Sequence, residues 1–182
     1  MYIVIVGAGK VGFTLAEHLS QEEHDVTVID TDDETLHKAS EALDVMCVKG
    51  NGATVSTLRE ANAATADVII AATSMDELNM ICCRTAKRLG ARYAIARVRN
   101  VEYTMELSML KQELEIDLVI NPENATAVEI SRLLRFPSAA NIENFCKGRV
   151  ELMGFRVQEG DFLVGQPLSA LPRHIRELSM LF

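Results

Sequence analysis

The stretch of sequence that decides the fold is Tyr2-Ile-Val-Ile-Val-Gly7-Ala-Gly9-Lys-Val-Gly12. An apolar run of strand length leads directly into the pattern Gly-x-Gly-x-x-Gly, and apolar residues at helical spacing follow it. In a βαβ unit the first glycine allows a sharp turn out of the strand, and the second lets a phosphate approach the backbone. The third lets the helix pack closely on the strand, so that the amides at the helix N-terminus face the phosphates. The stretch therefore predicts a turn that binds a pyrophosphate.

A second predicted strand, at residues 25–30, ends in Asp30. This acid follows the glycine turn at close to the spacing of ~20 residues expected for the carboxylate that binds an adenosine ribose. A carboxylate would repel the 2′-phosphate of NADP, so Asp30 favours NAD(H) or another adenosine nucleotide, such as ATP or ADP. Because all of these ligands carry the same ribose, Asp30 does not rank them.

The composition excludes several classes of protein. The net charge is −8 in a chain of 182 residues, whereas a nucleic-acid partner would require a basic surface. No apolar run approaches the ~20 residues that span a bilayer, and no charged and then apolar leader precedes Tyr2. We therefore expect a cytoplasmic protein that binds no nucleic acid and that can dock on a membrane protein.

The cysteines and histidines show no spacing typical of a metal site. No C-x-x-C pattern occurs, and Cys82 and Cys83 are adjacent on a predicted helix, where their side chains point in different directions. No metal site is predicted. We expect Cys47, Cys82, Cys83 and Cys146 to be buried, reduced thiols.

Short apolar runs and helical patterns alternate along most of the chain. Predicted strands lie at residues 2–6, 25–30, 45–48, 67–73, 93–98 and 117–120, and predicted helices follow the glycine turn and lie at 32–43, 54–61, 76–89, 101–114 and 122–134. The strands are continuous in Val, Ile and Ala, which is typical of a parallel sheet covered by helices on both faces. The pattern predicts an α/β fold with a Rossmann-type, doubly wound parallel sheet.

Local signals mark several helix ends. Thr31, followed three residues later by Glu34, has the spacing of a capping box and is expected to begin the helix at 32–43. Gly90 is expected to end the helix at 76–89, and Pro122 to open the helix at 122–134.

The pattern changes after residue 140. Residues 150–157 and 162–165 read as two strands joined by a turn at Glu159 and Gly160. About 40 residues are too few for an independent core, so we interpret this segment as the truncated start of a small α+β domain.

No residues suited to catalysis can be recognised. None of the tyrosines is followed four positions later by a lysine, as in short-chain dehydrogenases, and Lys10 is followed by Val11 rather than by the Ser or Thr of a Walker loop. A bound dinucleotide without a substrate apparatus indicates a sensor rather than an enzyme. The alternative is an NAD-dependent oxidoreductase fragment that lacks its catalytic half; an ATPase is a weaker alternative.

Further motifs carry a resemblance to a known family. These motifs are Gly50-Asn-Gly52, Thr73-Ser-Met-Asp-Glu-Leu-Asn79, Ile95-Ala-Arg-Val-Arg-Asn100 and Val164-Gly-Gln-Pro-Leu168. Together with the glycine turn, they resemble the RCK/KTN-domain regulators of potassium transport, of the TrkA-like type. The resemblance covers essentially the whole chain and implies a nucleotide-sensing regulatory subunit. It implies a nucleotide-binding domain at 1–123, a crossover helix and linker at 124–142, and the truncated start of a C-terminal domain at 143–182.

The resemblance also implies roles for individual residues. It places the pyrophosphate on the glycine turn and the adenosine ribose on Asp30, whereas Thr73 and Ser74 would border the second ribose and its base or terminal phosphates. Arg97 would face the phosphates, although a salt bridge from its strand to a helix is the alternative. The implied nucleotide-binding residues are Gly7, Ala8, Gly9, Lys10, Val11, Gly12, Asp30, Thr73, Ser74 and Arg97.

Asp76 and Asn79, at the predicted start of the helix at 76–89, suit N-capping at least as well as ligand binding.

The resemblance further implies that the helix at 122–134 crosses over to a partner subunit. It implies homodimers, tetramer-type rings in the intact protein, and a location at the inner face of the cell membrane through a potassium-translocating membrane subunit. The alternative for the helix is intramolecular packing against the residues at 150–165. The implied ligands are NAD(H), with ATP or ADP as a regulatory ligand.

Overall fold

A computed structural model describes residues 1–100, 102–103, 107–135, 139–145, 150–161, 164–165 and 167. The chain divides into two compact units, Met1–Thr126 and Ala127–Phe182. Each unit is described by itself. The division into domains at residues 123 and 142 stays a prediction.

The first unit is built on a six-stranded parallel sheet. Its strands are β1 (Tyr2–Val6), β2 (Asp25–Asp30), β3 (Met46–Lys49), β4 (Val68–Ala71), β5 (Tyr93–Arg97) and β6 (Leu118–Ile120). Their order across the sheet is β3-β2-β1-β4-β5-β6. The chain thus begins in the middle of the sheet, builds outward to β3, and crosses back to β4 on the other side of β1. This order confirms the predicted Rossmann-type, doubly wound fold.

Helices connect the strands. They are α1 (Lys10–Gln21), α2 (Asp33–Ala42), α3 (Val55–Glu60), α4 (Asp76–Leu89), α5 (Leu107–Glu113) and α6 (Pro122–Arg135), with a 3-10 turn at Ala63–Thr65. Apart from α5, the bounds agree with the predictions to within two residues. The predicted start of α5 at Val101 lies outside the described residues. Gly90 ends α4 with a φ of 130°, as predicted.

The predicted capping box at α2 is wrong. The N-cap is Asp32, whose side chain accepts a hydrogen bond of 3.3 Å from the backbone N–H of Glu34. The other carboxylate oxygen of Asp32 accepts from the Thr35 hydroxyl at 2.5 Å. An aspartate caps a helix at least as well as a threonine. The helix therefore begins one residue later than a cap at Thr31 would place it.

Successive side chains of a strand point to opposite faces, and both faces of the sheet are covered. Val4 and Val6 pack with Leu58 in one buried cluster, whereas Ile3 and Ile5 belong to the cluster on the other face. Apolar side chains that alternate in this way give β1 no solvent-facing side, as its continuous apolar sequence predicts.

The cysteines on α4 lie within this core. Cys82 and Cys83 are both fully buried, which confirms the prediction for these two, and burial raises the pKa of the Cys82 thiol to about 12. Cys47 is only half-buried. Cys146 lies outside the described residues.

The described part of the second unit contains an antiparallel pair of strands, β7 (Ala139–Phe145) and β8 (Val150–Phe155). β8 and the turn at Glu159 and Gly160 agree with the sequence analysis. The predicted second strand at 162–165 is wrong, because Val164 and Gly165 lie in a turn; residues 162–163 are not described. β8 pairs instead with the preceding segment, whose asparagines and glutamate are poor strand formers and concealed it.

Among the described residues, no helix is both long and apolar enough to cross a bilayer. The same part of the chain contains no group of three or more His, Cys, Asp or Glu side chains placed to hold a metal ion.

Candidate functional site

A crevice of about 590 Å³ lies at the C-terminal ends of β1, β2, β4 and β5, where ligands bind in open parallel sheets. The predicted residues that line it are Gly7, Gly9, Lys10, Val11, Asp30, Thr73, Ser74 and Arg97. The crevice also includes Gly50–Gly52, Met75 and Glu123, which were not predicted as site residues. Ala8 and Gly12 are buried and do not line it. The structure thus brings the predicted residues together, and their contacts with a ligand stay predictions.

The three glycines of the turn have different surroundings. Gly7 has a φ of 99°, and a Cβ there would stand 2.9 Å from the backbone N of Thr73. A Cβ on Gly12 would overlap the carbonyl oxygen of Gly7. A Cβ on Gly9, by contrast, would meet no described atom within 4 Å, although Gly9 lines the crevice. The fold therefore requires Gly7 and Gly12, whereas nothing in the described part of the chain requires a glycine at position 9.

The turn leads into the N-terminus of α1. Gly9 is the N-cap and has no side chain, and its carbonyl accepts the first bond of the helix from Phe13 at 2.8 Å. The amides of Lys10, Val11 and Gly12 precede that bond and have no partner within the helix. No acid occupies the first turn. This helix end therefore has the donors and the dipole that suit a phosphate.

Asp30 is held next to the glycine turn by backbone amides. One carboxylate oxygen accepts from the N–H of Ala8 at 2.7 Å, and the other accepts from the N–H of Asp32 at 3.0 Å. A carboxylate has about four acceptor positions, so two remain for ribose hydroxyls. Ala8 thus serves the site by orienting Asp30.

Asn79 joins the ends of β4 and β5. Its side chain is fully buried and accepts from the backbone N–H of Thr73 at 2.8 Å. Its amide nitrogen donates to the carbonyl of Thr73 at 3.2 Å and to that of Arg97 at 2.9 Å. Asn79 does not cap α4, whose N-cap is Met75. A polar residue on the helix face that carries Cys82 and Cys83 was the signal that could have identified it.

Arg97 forms the salt bridge that the sequence analysis considered as an alternative. Its guanidinium pairs with the carboxylate of Glu123, in the first turn of α6, and donates to the Thr73 carbonyl at 3.3 Å. Burial opposes ionisation of Glu123, but a backbone hydrogen bond and Arg97 outweigh it and hold the pKa of this carboxyl below its usual range. The Nε of Arg97 is buried without a hydrogen-bond partner among the described residues. Both side chains of this pair line the crevice, so the salt bridge is compatible with a contact between Arg97 and a ligand.

Asp76 joins the loop after β5 to the start of α4. Its carboxylate accepts from the backbone amides of Arg99 and Asn100, at 2.7 and 2.8 Å, and contacts the Arg99 guanidinium. Burial raises its pKa, but these donors together lower it below the usual value. The N-capping role considered for Asp76 is wrong, since its bonds run to another loop rather than to its own helix.

The fold and the site geometry define a class of protein, the α/β domains built on a Rossmann-type parallel sheet with a crevice at the strand ends. The profile of the TrkA-N domain matches residues 3–122. The chain belongs to the TrkA-N domain family.

Two curated relatives cover nearly the whole chain. The Trk system potassium uptake protein TrkA of Halomonas elongata is 42% identical over 177 residues, which make up 96% of this chain and 39% of that protein. The protein of the same name from Haemophilus influenzae is 38% identical over 178 residues, again 96% of this chain and 39% of that protein. The chain thus spans about two fifths of the length of these relatives. Their names confirm the resemblance to the TrkA-like proteins of potassium transport.

Solved structures of low sequence identity share the fold. The TrkA-N domain of the inner membrane protein ybaL from Escherichia coli has a TM-score of 0.65 and 23% identity, covering 73% of this chain and 96% of that chain. The GsuK channel bound to NAD has a TM-score of 0.56 and 23% identity, covering 65% and 21%. GsuK bound to ADP has a TM-score of 0.55 and 25% identity, covering 66% and 31%.

Proposed function

We propose that this chain is the nucleotide-sensing part of a cytosolic regulatory subunit of a bacterial Trk-type potassium uptake system. It binds NAD(H), with ATP or ADP as a regulatory ligand, and gates a potassium-translocating membrane subunit by conformational change. One observation carries the proposal: Asp30 and the glycine turn border a single crevice at the strand ends. The names of the curated relatives support the transport system, and the nucleotide-bound GsuK structures support the ligand class.

The wider organisation belongs to the same proposal. A nucleotide-binding domain at 1–123 is followed by a crossover helix and linker at 124–142 and by the start of a C-terminal domain at 143–182. The intact protein forms homodimers and tetramer-type rings, and it lies at the inner face of the membrane, bound to its transporter subunit.

A sensor suits the groups that line the crevice better than an enzyme does. No His, Tyr or Cys is among the described residues that line it. Its carboxylates, Asp30 and Glu123, already bind backbone amides and Arg97, so neither is poised to transfer a proton. We therefore propose no catalytic residues. Native mass spectrometry of the purified protein is expected to identify a retained adenine nucleotide, and turnover of NADH with carbonyl substrates would instead favour an oxidoreductase fragment.

Self-association is expected to use α6. Its apolar side chains are exposed in the single chain, by 48% at Val128, 52% at Ile130, 55% at Leu133 and 74% at Leu134. Light scattering at micromolar concentration is expected to give at least a dimer, because burial of such a face stabilises association. Leu134→Asp is expected to shift the mass toward the monomer, whereas Met46→Asp, on β3 and 56% exposed, is not. A monomeric wild type would contradict the proposed dimer.

Arg97 is expected to distinguish NADH from ATP, because the two ligands share the adenosine half and differ in the group that reaches the ends of β4 and β5. A ligand shifts an equilibrium only through contacts that differ between states, and Arg97 contacts both Thr73 and Glu123 of α6. Arg97→Ala should therefore keep much of the ribose-dependent binding but reduce the difference between the effects of the two ligands.

The measurement is potassium flux through the membrane subunit reconstituted with the full-length regulatory protein. Arg92→Ala is the matched control, since Arg92 precedes the opposite end of β5 and stacks on Tyr93. If the Arg97 variant discriminates between NADH and ATP as well as the wild type, Arg97 has a structural role and the ligands are distinguished elsewhere.

A further inference from the structure

The hydrogen-bonding groups of Thr73 are almost all used within the protein. Its N–H donates to Oδ1 of Asn79, and its carbonyl accepts from Nδ2 of Asn79 and from the Arg97 guanidinium. Its hydroxyl oxygen accepts from the backbone N–H of Met75 at 3.3 Å, and the hydroxyl lies 2.7 Å from Oδ1 of Asn79. Thr73 also lines the crevice, immediately beyond the end of β4. The direction of this last hydrogen bond therefore decides what Thr73 offers to a ligand.

The surroundings of Asn79 determine that direction. Nδ2 must face the carbonyls of Thr73 and Arg97, because a carbonyl only accepts. Oδ1 then faces the N–H of Thr73 and the hydroxyl, and Oδ1 carries no hydrogen. The short contact with the hydroxyl thus requires the single proton of Thr73. The carbonyl of Met75, at 3.3 Å, is a more distant competitor for this proton.

We propose that Asn79 makes the Thr73 hydroxyl a hydrogen-bond acceptor toward the crevice, so that the site selects a ligand with a hydroxyl group, rather than a phosphate, beyond its pyrophosphate. The selected class is a dinucleotide with a second ribose. Asn79 is then a positioning residue that sets specificity without touching the ligand. This inference rests on the proposed nucleotide-binding function.

The order of the strands supports this placement. Neighbouring strands lie ~4.8 Å apart, and Asp30, the glycine turn and Thr73 follow the consecutive strands β2, β1 and β4. A ligand with its adenosine ribose on Asp30 and its pyrophosphate on the turn places its next group at Thr73. That group is a ribose in a dinucleotide and the terminal phosphate in ATP. A phosphate is an acceptor, and it gains nothing from a hydroxyl whose proton is used by Asn79 and which offers only its remaining lone pair.

The test compares ADP-ribose with ADP, which differ by the second ribose. Calorimetric titration of the 182-residue chain is expected to show that Thr73→Val lowers the affinity for ADP-ribose by about three- to tenfold. Its affinity for ADP is expected to stay within about twofold of the wild type. Thr73→Ser keeps the hydroxyl and should restore the ratio of the two affinities. Thr85→Val removes a hydroxyl from α4 that bonds the Ile81 carbonyl, and it is the matched control.

Asn79→Ala tests the positioning role, because it releases the hydroxyl proton to turn toward the ligand. The ratio of the affinity for ADP-ribose to that for ADP should fall, and the affinity for ATP should rise relative to that for ADP. Asn79→Ser, which keeps one hydrogen-bonding group, gives the same test if the alanine variant does not fold.

The outcomes separate the two proposals. The inference is overturned if the ratio of the affinities for ADP-ribose and ADP is unchanged in Thr73→Val or in a folded Asn79 variant. An equal loss of affinity for both ligands overturns it as well. If the wild type binds neither ADP nor ADP-ribose, the proposed function fails instead.

Discussion

Gly9→Ala is expected to lower the affinity for NADH and for ATP by at least about tenfold while changing the free energy of unfolding by no more than about 1 kcal/mol. The backbone at Gly9 has a φ of −65°, which alanine adopts, and the added methyl group would meet no described atom within 4 Å. The methyl group would instead hold the pyrophosphate away from the amides at the start of α1. Calorimetric titration and unfolding in denaturant measure the two quantities.

Gly12→Ala is the contrasting variant. Its methyl group would overlap the carbonyl oxygen of Gly7, which is backbone and cannot turn aside as a side chain can. We expect the free energy of unfolding to fall by more than about 3 kcal/mol, at the upper end of the range for overpacking. If Gly9→Ala binds both ligands as the wild type does, the pyrophosphate does not lie on this turn.

Asp30→Ala is expected to weaken the binding of NAD(H) and of ATP alike, by on the order of 1–3 kcal/mol, or about 5- to 150-fold in the dissociation constant. The substitution removes the ribose acceptor common to both ligands. It also leaves the N–H of Ala8 without the carboxylate that it contacts at 2.7 Å. Titration calorimetry with NADH and ATP measures the effect, and thermal unfolding of the free protein reports the loss of the Ala8 contact separately.

The matched control is Asp25→Ala, which removes the same side chain from the exposed, opposite end of β2. We expect its affinities for both ligands to equal those of the wild type. Unchanged binding of both ligands in the Asp30 variant would contradict the prediction that Asp30 binds the adenosine ribose. A loss confined to one ligand would mean that Asp30 contacts a group other than the shared ribose.

The sheet and the glycine turn could be predicted because their signals are local. A strand, a turn and a helix in Tyr2–Gln21 are specified by neighbouring residues, and Gly90 marked the end of α4. The doubly wound fold then followed from the general topology of alternating strands and helices.

The side-chain pairs of the site could not be predicted, because they join distant parts of the chain. Arg97 at the end of β5 pairs with Glu123, which follows β6, and Asp76 binds the amides of the loop after β5. Sequence spacing carries no information on such pairs. For Asn79 and Asp76, the sequence analysis therefore weighed N-capping of their own helix, the nearest local explanation, against ligand binding.

The hairpin of the second unit was mispredicted for a different reason. The residues of β7 include asparagines and a glutamate, so intrinsic strand propensity argues against this segment. Its partner β8 reads clearly as a strand. Pairing with a neighbouring strand overrides weak propensity, and the sequence offered no way to choose between the segments before and after β8.

The close approach of Gly7 to Thr73 limits where this unit can change shape. At that contact the backbone of the turn after β1 meets the backbone after β4, with no side chain between them to change rotamer. The turn after β1 and the segment after β4 are therefore expected to move together as one block, since packed protein interiors yield little to strain. The first turn of α6 is joined to that block by the Arg97–Glu123 side-chain pair, which can rearrange by torsion alone. In the proposed nucleotide sensor, we therefore expect a bound ligand to move mainly the α6 edge of the crevice.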